Sequence, residues 1–124
     1  MHKSRLGELV IDCEGGDIDA NAKFWAGALG RRVEEMPKNP RYRRLIGRDG
    51  EIGVLLQAVD HAPRVHLDIE TDDREREVAR LEGLGAKVVE SFEKWTVMEA
   101  VTGHRFCVVR VDLSAEGNTT RTWE

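Results

Sequence analysis

The chain has 124 residues, 40% hydrophobic and 34% charged, with 19 Lys and Arg against 23 Asp and Glu, for a formal charge of −4. That length suits one domain with its own core, and the composition excludes a largely disordered chain. The acidic balance gives no electrostatic case for nucleic acid or an anionic membrane surface. No apolar run approaches the roughly 20 residues of a spanning helix, and the first dozen residues lack the apolar stretch of a secretory signal. A cytoplasmic protein with Cys13 and Cys107 as reduced core thiols is expected.

In chain order, residues 8–12 (ELVID) read as a strand with Leu9, Ile11 and Cys13 on one face and Glu8, Val10 and Asp12 on the other. A helix follows, capped by Asp19, carrying Ala22, Phe24, Trp25, Ala28 and Leu29, and stopped by a left-handed Gly30. Strands are expected at 32–35, 42–46 and 52–57, with Asp49-Gly50 as the turn before the last of them. Two prolines put the basic segment 36–41 in a loop, and 60–64 is a connection.

The same order then recurs. Residues 66–70 (HLDIE) form a strand with Val65, Leu67 and Ile69 opposed to His66, Asp68 and Glu70. Asp72 or Asp73 caps a helix with Val78, Leu81 and Leu84 that stops near Gly85, and strands are expected at 87–91, 95–99 and 105–111. The chain thus reads β-α-β-β-β twice, as modules of about 8–58 and 65–111 within one domain at 1–112. Residues 113–124 are polar apart from Leu113 and Trp123 and read as a tail, which Trp123 could pin to this subunit or a partner.

Charge gathers on corresponding faces of the two first strands. His66 is either a strand histidine held by Asp68 or a carbonyl, or a group for ligand recognition and proton transfer. If Glu8 and His66 converge, they form the best acid-base pair in the chain, with Asp12 on a pocket rim. Trp25 is expected to pack in the core and Trp95 to line a cavity wall, while Tyr42, Gln57, Arg43 and Arg105 could orient polar ligand groups. No glycine-rich nucleotide loop, HExxH or CxxC occurs.

The segments LVIDC (9–13), AKFWAGALG (22–30), VHLDIETDD (65–73), RLEGLGAKV (80–88) and WTVMEAVTGHRFCVV (95–109) together resemble the glyoxalase, bleomycin-resistance and extradiol-dioxygenase superfamily, also called vicinal oxygen chelate proteins, and especially its glyoxalase-like subgroup. The resemblance covers about residues 8–111. It implies an α+β fold in which two βαβββ modules form a curved mixed eight-stranded sheet around a cavity, and a homodimer. Metal-dependent members place ligands on the first and last strands of each module, which fall here on Glu8, Val54, His66 and Cys107. Valine cannot coordinate a cation, so the four-ligand pattern is broken and neither metal nor cofactor is expected.

The resulting expectation is a small-molecule-binding protein of unknown substrate, with Glu8 and His66 as catalytic candidates and Asp12, Tyr42, Gln57, Asp68 and Trp95 as ligand-binding candidates. It could be an enzyme with an altered metal site. The alternatives are a metal-dependent lyase, isomerase or dioxygenase, in which Cys107 would add sulfur to Glu8 and His66, and a ligand-sequestering resistance protein.

Overall fold

A computed structural model describes residues 1–35, 39–114 and 119–124. The chain divides into two compact units, residues 8–66 and residues 1–7 with 67–124. Both are α+β, and the β-α-β-β-β order occurs twice, as the repeat predicts. No helix among the described residues is long and apolar enough to cross a membrane.

In the unit of residues 8–66, β1 (His2–Glu14) enters with its C-terminal half. It is followed by α1 (Ile18–Leu29), β2 (Arg32–Val33), β3 (Tyr42–Ile46) and β4 (Gly53–Val59). The strand order is β2-β3-β4-β1, with β1 and β4 parallel and the other pairs antiparallel. The cap of α1 is Asp17 rather than Asp19: its side chain accepts from the Asp19 N–H at 2.9 Å. Asp19 instead sits in the first turn, where a negative charge suits the helix N-terminus. Gly30 ends the helix with φ 67°, the left-handed stop expected of it. Ala22 and Ala26 of α1 pack on Leu45, Val54 and Leu56, joined by Ile11, Cys13 and Trp25. Fully burying Leu45 and Leu56 contributes roughly 1.5–3 kcal/mol each. Of the loop expected at 36–41, residues 39–41 are irregular and 36–38 lie outside the described residues.

The other unit repeats the plan with β5 (Arg64–Thr71), α2 (Arg74–Gly83), β6 (Lys87–Ser91), β7 (Trp95–Glu99) and β8 (Arg105–Arg110). Here β5 and β8 are parallel and the order is β5-β8-β7-β6. Asp73 caps α2 by accepting from the Arg76 N–H at 3.1 Å. Leu81 packs with Met98, Phe106 and Val108.

Two features here go beyond the sequence expectations. β1 begins at His2, six residues before the expected strand, and the tail ends in a strand, β9 (Arg121–Trp123), that pairs antiparallel with His2–Ser4. Residues 115–118 of the tail lie outside the described residues. Both additions are fastened to α2 through one carboxylate. Glu77 is fully buried and accepts from His2 Nε2 at 2.7 Å and from Arg80 Nε and Nη2 at 2.8 Å each. Trp123 Nε1 donates to Ser4 Oγ at 2.8 Å, and the Arg80 guanidinium lies 3.9 Å over the indole. Burial is the largest influence on Glu77 and pushes its carboxyl up; hydrogen bonds from Arg80, His2 and Ser4, with the Arg80 charge, outweigh it and hold the carboxyl below its ordinary value.

Candidate functional site

Strand parity and register decide which side chains share a face. In the unit of residues 8–66, Leu9, Ile11 and Cys13 turn toward α1, so Glu8, Val10 and Asp12 turn away from it. Register carries that face across the strands: Val10 pairs with Leu55 and Leu55 with Arg44, while Asp12 pairs with Gln57 and Gln57 with Tyr42. Tyr42, Gln57 and Asp12 therefore form one lateral row on the face opposite α1. Arg43 has the opposite parity. Its guanidinium bonds Asp19 of α1 at 2.7 Å, which removes it from the ligand-orienting role expected of it.

His66 extends the polar row. Its Nδ1 lies 2.8 Å from Asp12 Oδ2, and Asp12 is only 3% exposed. A carboxylate oxygen accepts, so Nδ1 is the donor in this bond. Arg64 Nε at 3.6 Å and His61 Nε2 at 3.9 Å approach the same Oδ2. The other oxygen, Asp12 Oδ1, is buried with no hydrogen-bond partner among the described residues. At the end of the row, Gln57 Nε2 donates to the Tyr42 hydroxyl at 3.4 Å. Beside Asp12, burial first and the Asp12 charge second push the Cys13 thiol above its ordinary value.

Glu8 has a different partner. It is buried and accepts from Arg44 Nη1, while Glu34 Oε2 lies 3.3 Å from Arg44 Nε. His66 thus bonds Asp12, which the sequence places only on a rim. Arg44, His61 and Arg64 are members of the cluster that sequence reasoning did not name. For Arg44 a signal existed, since it shares the parity of Tyr42.

The register also corrects one assignment. Val54 pairs with Leu9 and is packed under α1, whereas Cys107 pairs with Asp68 on the face away from α2. The counterpart of Cys107 is therefore Leu55. The connection before β4 (residues 47–52) is one residue longer than that before β8 (100–104), which offsets the equivalent positions by one. Leucine coordinates no better than valine, and Glu8 is already engaged by Arg44. The first-module half of the superfamily's ligand set does not fit a metal ion. In the other unit, Asp68 lies beside Cys107, and Trp95 stacks on Phe92 with ring centroids 4.7 Å apart. Arg105 Nε is 3.4 Å from Glu99 Oε1.

Comparison with known proteins follows this geometry. The family model of the glyoxalase-like domain matches residues 8–109. No curated protein sequence matches the chain. Among solved structures, methylmalonyl-CoA epimerase from Mycobacterium tuberculosis is similar at 15% identity and a TM-score of 0.64, covering 87% of this chain and 88% of that one. Streptomyces coelicolor methylmalonyl-CoA epimerase in complex with 2-nitronate-propionyl-CoA is 16% identical, with a TM-score of 0.60 and coverage of 86% and 96%. A hypothetical protein from Bacillus halodurans C-125 is 14% identical, with a TM-score of 0.60 and coverage of 92% and 99%. At these identities the structures share the fold, and the family match adds the lineage: the chain belongs to the glyoxalase-like domain family of the vicinal oxygen chelate superfamily.

Proposed function

We propose that this chain binds a small organic molecule on the α1-opposed face of residues 8–66, with Asp12 and His66 as its polar centre. The observation that carries the reading is the 2.8 Å bond between His66 Nδ1 and a carboxylate buried beside it. A structural histidine needs only a hydrogen bond. Here the partner is a buried carboxylate, which holds the ring in a set orientation at the centre of a polar row. Tyr42 and Gln57 extend the recognition surface along the same row. Asp68 and Trp95 are proposed as ligand contacts within the unit of residues 1–7 and 67–124. The same reading has the chain acting in the cytoplasm as a homodimer, the commonest closed assembly.

A small-molecule library screened by thermal shift against the starting protein, His66→Gln and His66→Ala tests the reading. His66→Gln should keep the melting temperature and lose the ligand-induced shift. If glutamine keeps the shift while alanine only lowers stability, His66 is structural and the reading fails.

The same geometry favours a catalytic version over simple sequestration. A histidine oriented by a carboxylate is a form that general acid-base catalysis uses, a contribution of typically 10²–10⁴-fold, and the similar solved structures include epimerases by name. An active chain would exchange a carbon-bound proton of its bound ligand with solvent deuterium, and His66→Gln would abolish that exchange. Glu8, engaged by Arg44, serves in this reading to set the charge beside the centre rather than to take the proton.

A further inference from the structure

The strand order ends on β6, so among the described residues no strand lies on its outer side and half of its backbone N–H and C=O groups have no ladder to join. All five of its residues, Lys87, Val88, Val89, Glu90 and Ser91, are exposed. Apolar surface continues past both ends: Leu84 and Phe92 are exposed, and so is Val101, whose side chain lies over Gly85, 2.7 Å from where a Cβ there would stand. An irregularity in the pairing with β7 decides what this edge fits. Lys87 stands opposite Glu99, Val88 opposite Met98 and Glu90 opposite Val97, with Val89 as an extra residue between the last two pairs. Glu99 and Val97 share a face of β7, so Lys87 and Glu90 share a face too, away from Met98 and α2. In a regular strand, residues three apart face opposite ways. A two-fold axis through a joined edge, perpendicular to the sheet, keeps every residue on its own face and cannot set such a pair against each other; the bulge removes that obstacle.

We propose, building on the homodimer reading above, that β6 is the dimer interface and that its occupant is β6 of a second copy, paired antiparallel with Lys87 opposite the partner's Glu90. The Lys-Val-Val-Glu run is then complementary to itself: symmetry gives two Lys87–Glu90 pairs, one at each end, with Val88 against the partner's Val89 between them. The same register carries Phe92 opposite the partner's Gly85, where the partner's Val101 supplies the apolar contact that glycine cannot. These flanking contacts matter for size, because a specific interface buries roughly 1,200–2,000 Å² and five strand residues a side fall short of it. A bulge ordinarily blunts an edge against pairing. An ordinary strand meets this one out of register, whereas a second copy brings the matching bulge, so the irregularity selects the copy. The charge pairs set the register, and the backbone ladder and apolar contacts supply most of the affinity.

Sedimentation of the full chain over a concentration series measures the association. Glu90→Lys sets like charges together at both ends of the pair, at an exposed position whose neighbour in its own chain, Val97, is uncharged, and should weaken the dimer about tenfold or more. Lys87→Glu should weaken it by a similar factor for the same reason. Each single variant then offers the charges the other lacks, so an equal mixture of the two should form a heterodimer within about threefold of the parent's affinity. The double variant Lys87→Glu with Glu90→Lys should recover self-association to the same extent, and it carries the test if Lys87→Glu alone fails to fold. A mixture and a double variant no tighter than the single variants overturn the register. A Glu90→Lys protein that dimerises like its parent overturns β6 as the interface and leaves the homodimer reading standing. A parent chain that is monomeric at every concentration overturns both and leaves the edge to a strand of a different protein, while species larger than a dimer overturn the closed two-fold pairing.

Discussion

Removing the Glu77 carboxylate should be among the most damaging single changes in residues 1–7 and 67–124. Glu77 is 0% exposed and its partner His2 is 6% exposed, so Glu77→Ala leaves a buried imidazole, the Ser4 hydroxyl and the Arg80 fork without their acceptor. Breaking a buried charged pair in this way costs about 3–5 kcal/mol. The Arg80 side chain is 25% exposed and recovers some hydration, which places the expectation near the lower end, about 3 kcal/mol. For a chain of this size that corresponds to a fall in melting temperature of roughly 12 °C. Glu77→Gln keeps the shape but turns an amide toward the donors, at about 2 kcal/mol. It also removes a pH-dependent contribution of known sign. The folded carboxyl titrates below its ordinary value, so its stabilisation is present above the unfolded value of about 4.3 and is lost as pH falls through the folded value. Urea unfolding across a pH series should therefore show the two proteins furthest apart near neutrality and converging in acid. A Glu77→Ala cost under about 1 kcal/mol, or a Glu77→Gln difference unchanged from neutrality to strong acid, would refute this account of the cluster.

The C-terminal strand should contribute measurably to folding: Trp123→Ala loses the 2.8 Å bond to Ser4 and the stack under Arg80, and should cost roughly 2 kcal/mol in urea unfolding, with Trp123→Phe losing about half as much. A Trp123→Ala protein as stable as its parent would return residues 119–124 to the status of a tail. Cys13, with its thiol held above its ordinary value by burial and by Asp12, should react slowly with a disulfide reagent at pH 8 in a Cys107→Ser background and rapidly once urea unfolds the chain. Equal rates in both conditions would show the thiol to be accessible and unperturbed.

Much of the fold is legible in the sequence because its signals are local and repeated. Leu29-Gly30 and Leu84-Gly85 mark the two helix ends, and period-two alternation assigns Leu9, Ile11 and Cys13 to the helix side of β1. What escapes is whatever depends on pairing between distant strands. His2 and Ser4 carry no apolar pattern, and they are buried because Glu77 and Trp123, some 75 and 119 residues away, supply their hydrogen bonds. Alternation gives each residue a face but not a neighbour. It could therefore set Glu8 and Asp12 on one side of β1 without showing that Arg44 reaches the first from β3 and His66 the second from β5. The one-residue difference between the turns before β4 and β8 is equally invisible until register is known, and it moved the site position from Leu55 to Val54.

The two carboxylates of β1 support different conclusions. Glu8 and Arg44 form a pair with Glu34 at its exposed edge, a self-contained arrangement that stability alone can explain. Asp12 is different, because His66 Nδ1 bonds one of its oxygens, with the Arg64 guanidinium 3.6 Å away, and the other oxygen is buried with no hydrogen-bond partner among the described residues. A structural carboxylate gains nothing from that asymmetry. Apolar side chains at both Asp12 and His66 would remove the desolvation cost and the unmade hydrogen bond together. A pair of positions where apolar residues would serve the fold better, and where an oriented imidazole stands next to a buried carboxylate, is where local packing has yielded to another requirement. On the proposed reading that requirement is ligand recognition, and the double variant Asp12→Leu with His66→Leu should express it as a gain in melting temperature coupled to complete loss of ligand binding. Loss of folding in that variant would instead show the carboxylate to be part of the scaffold.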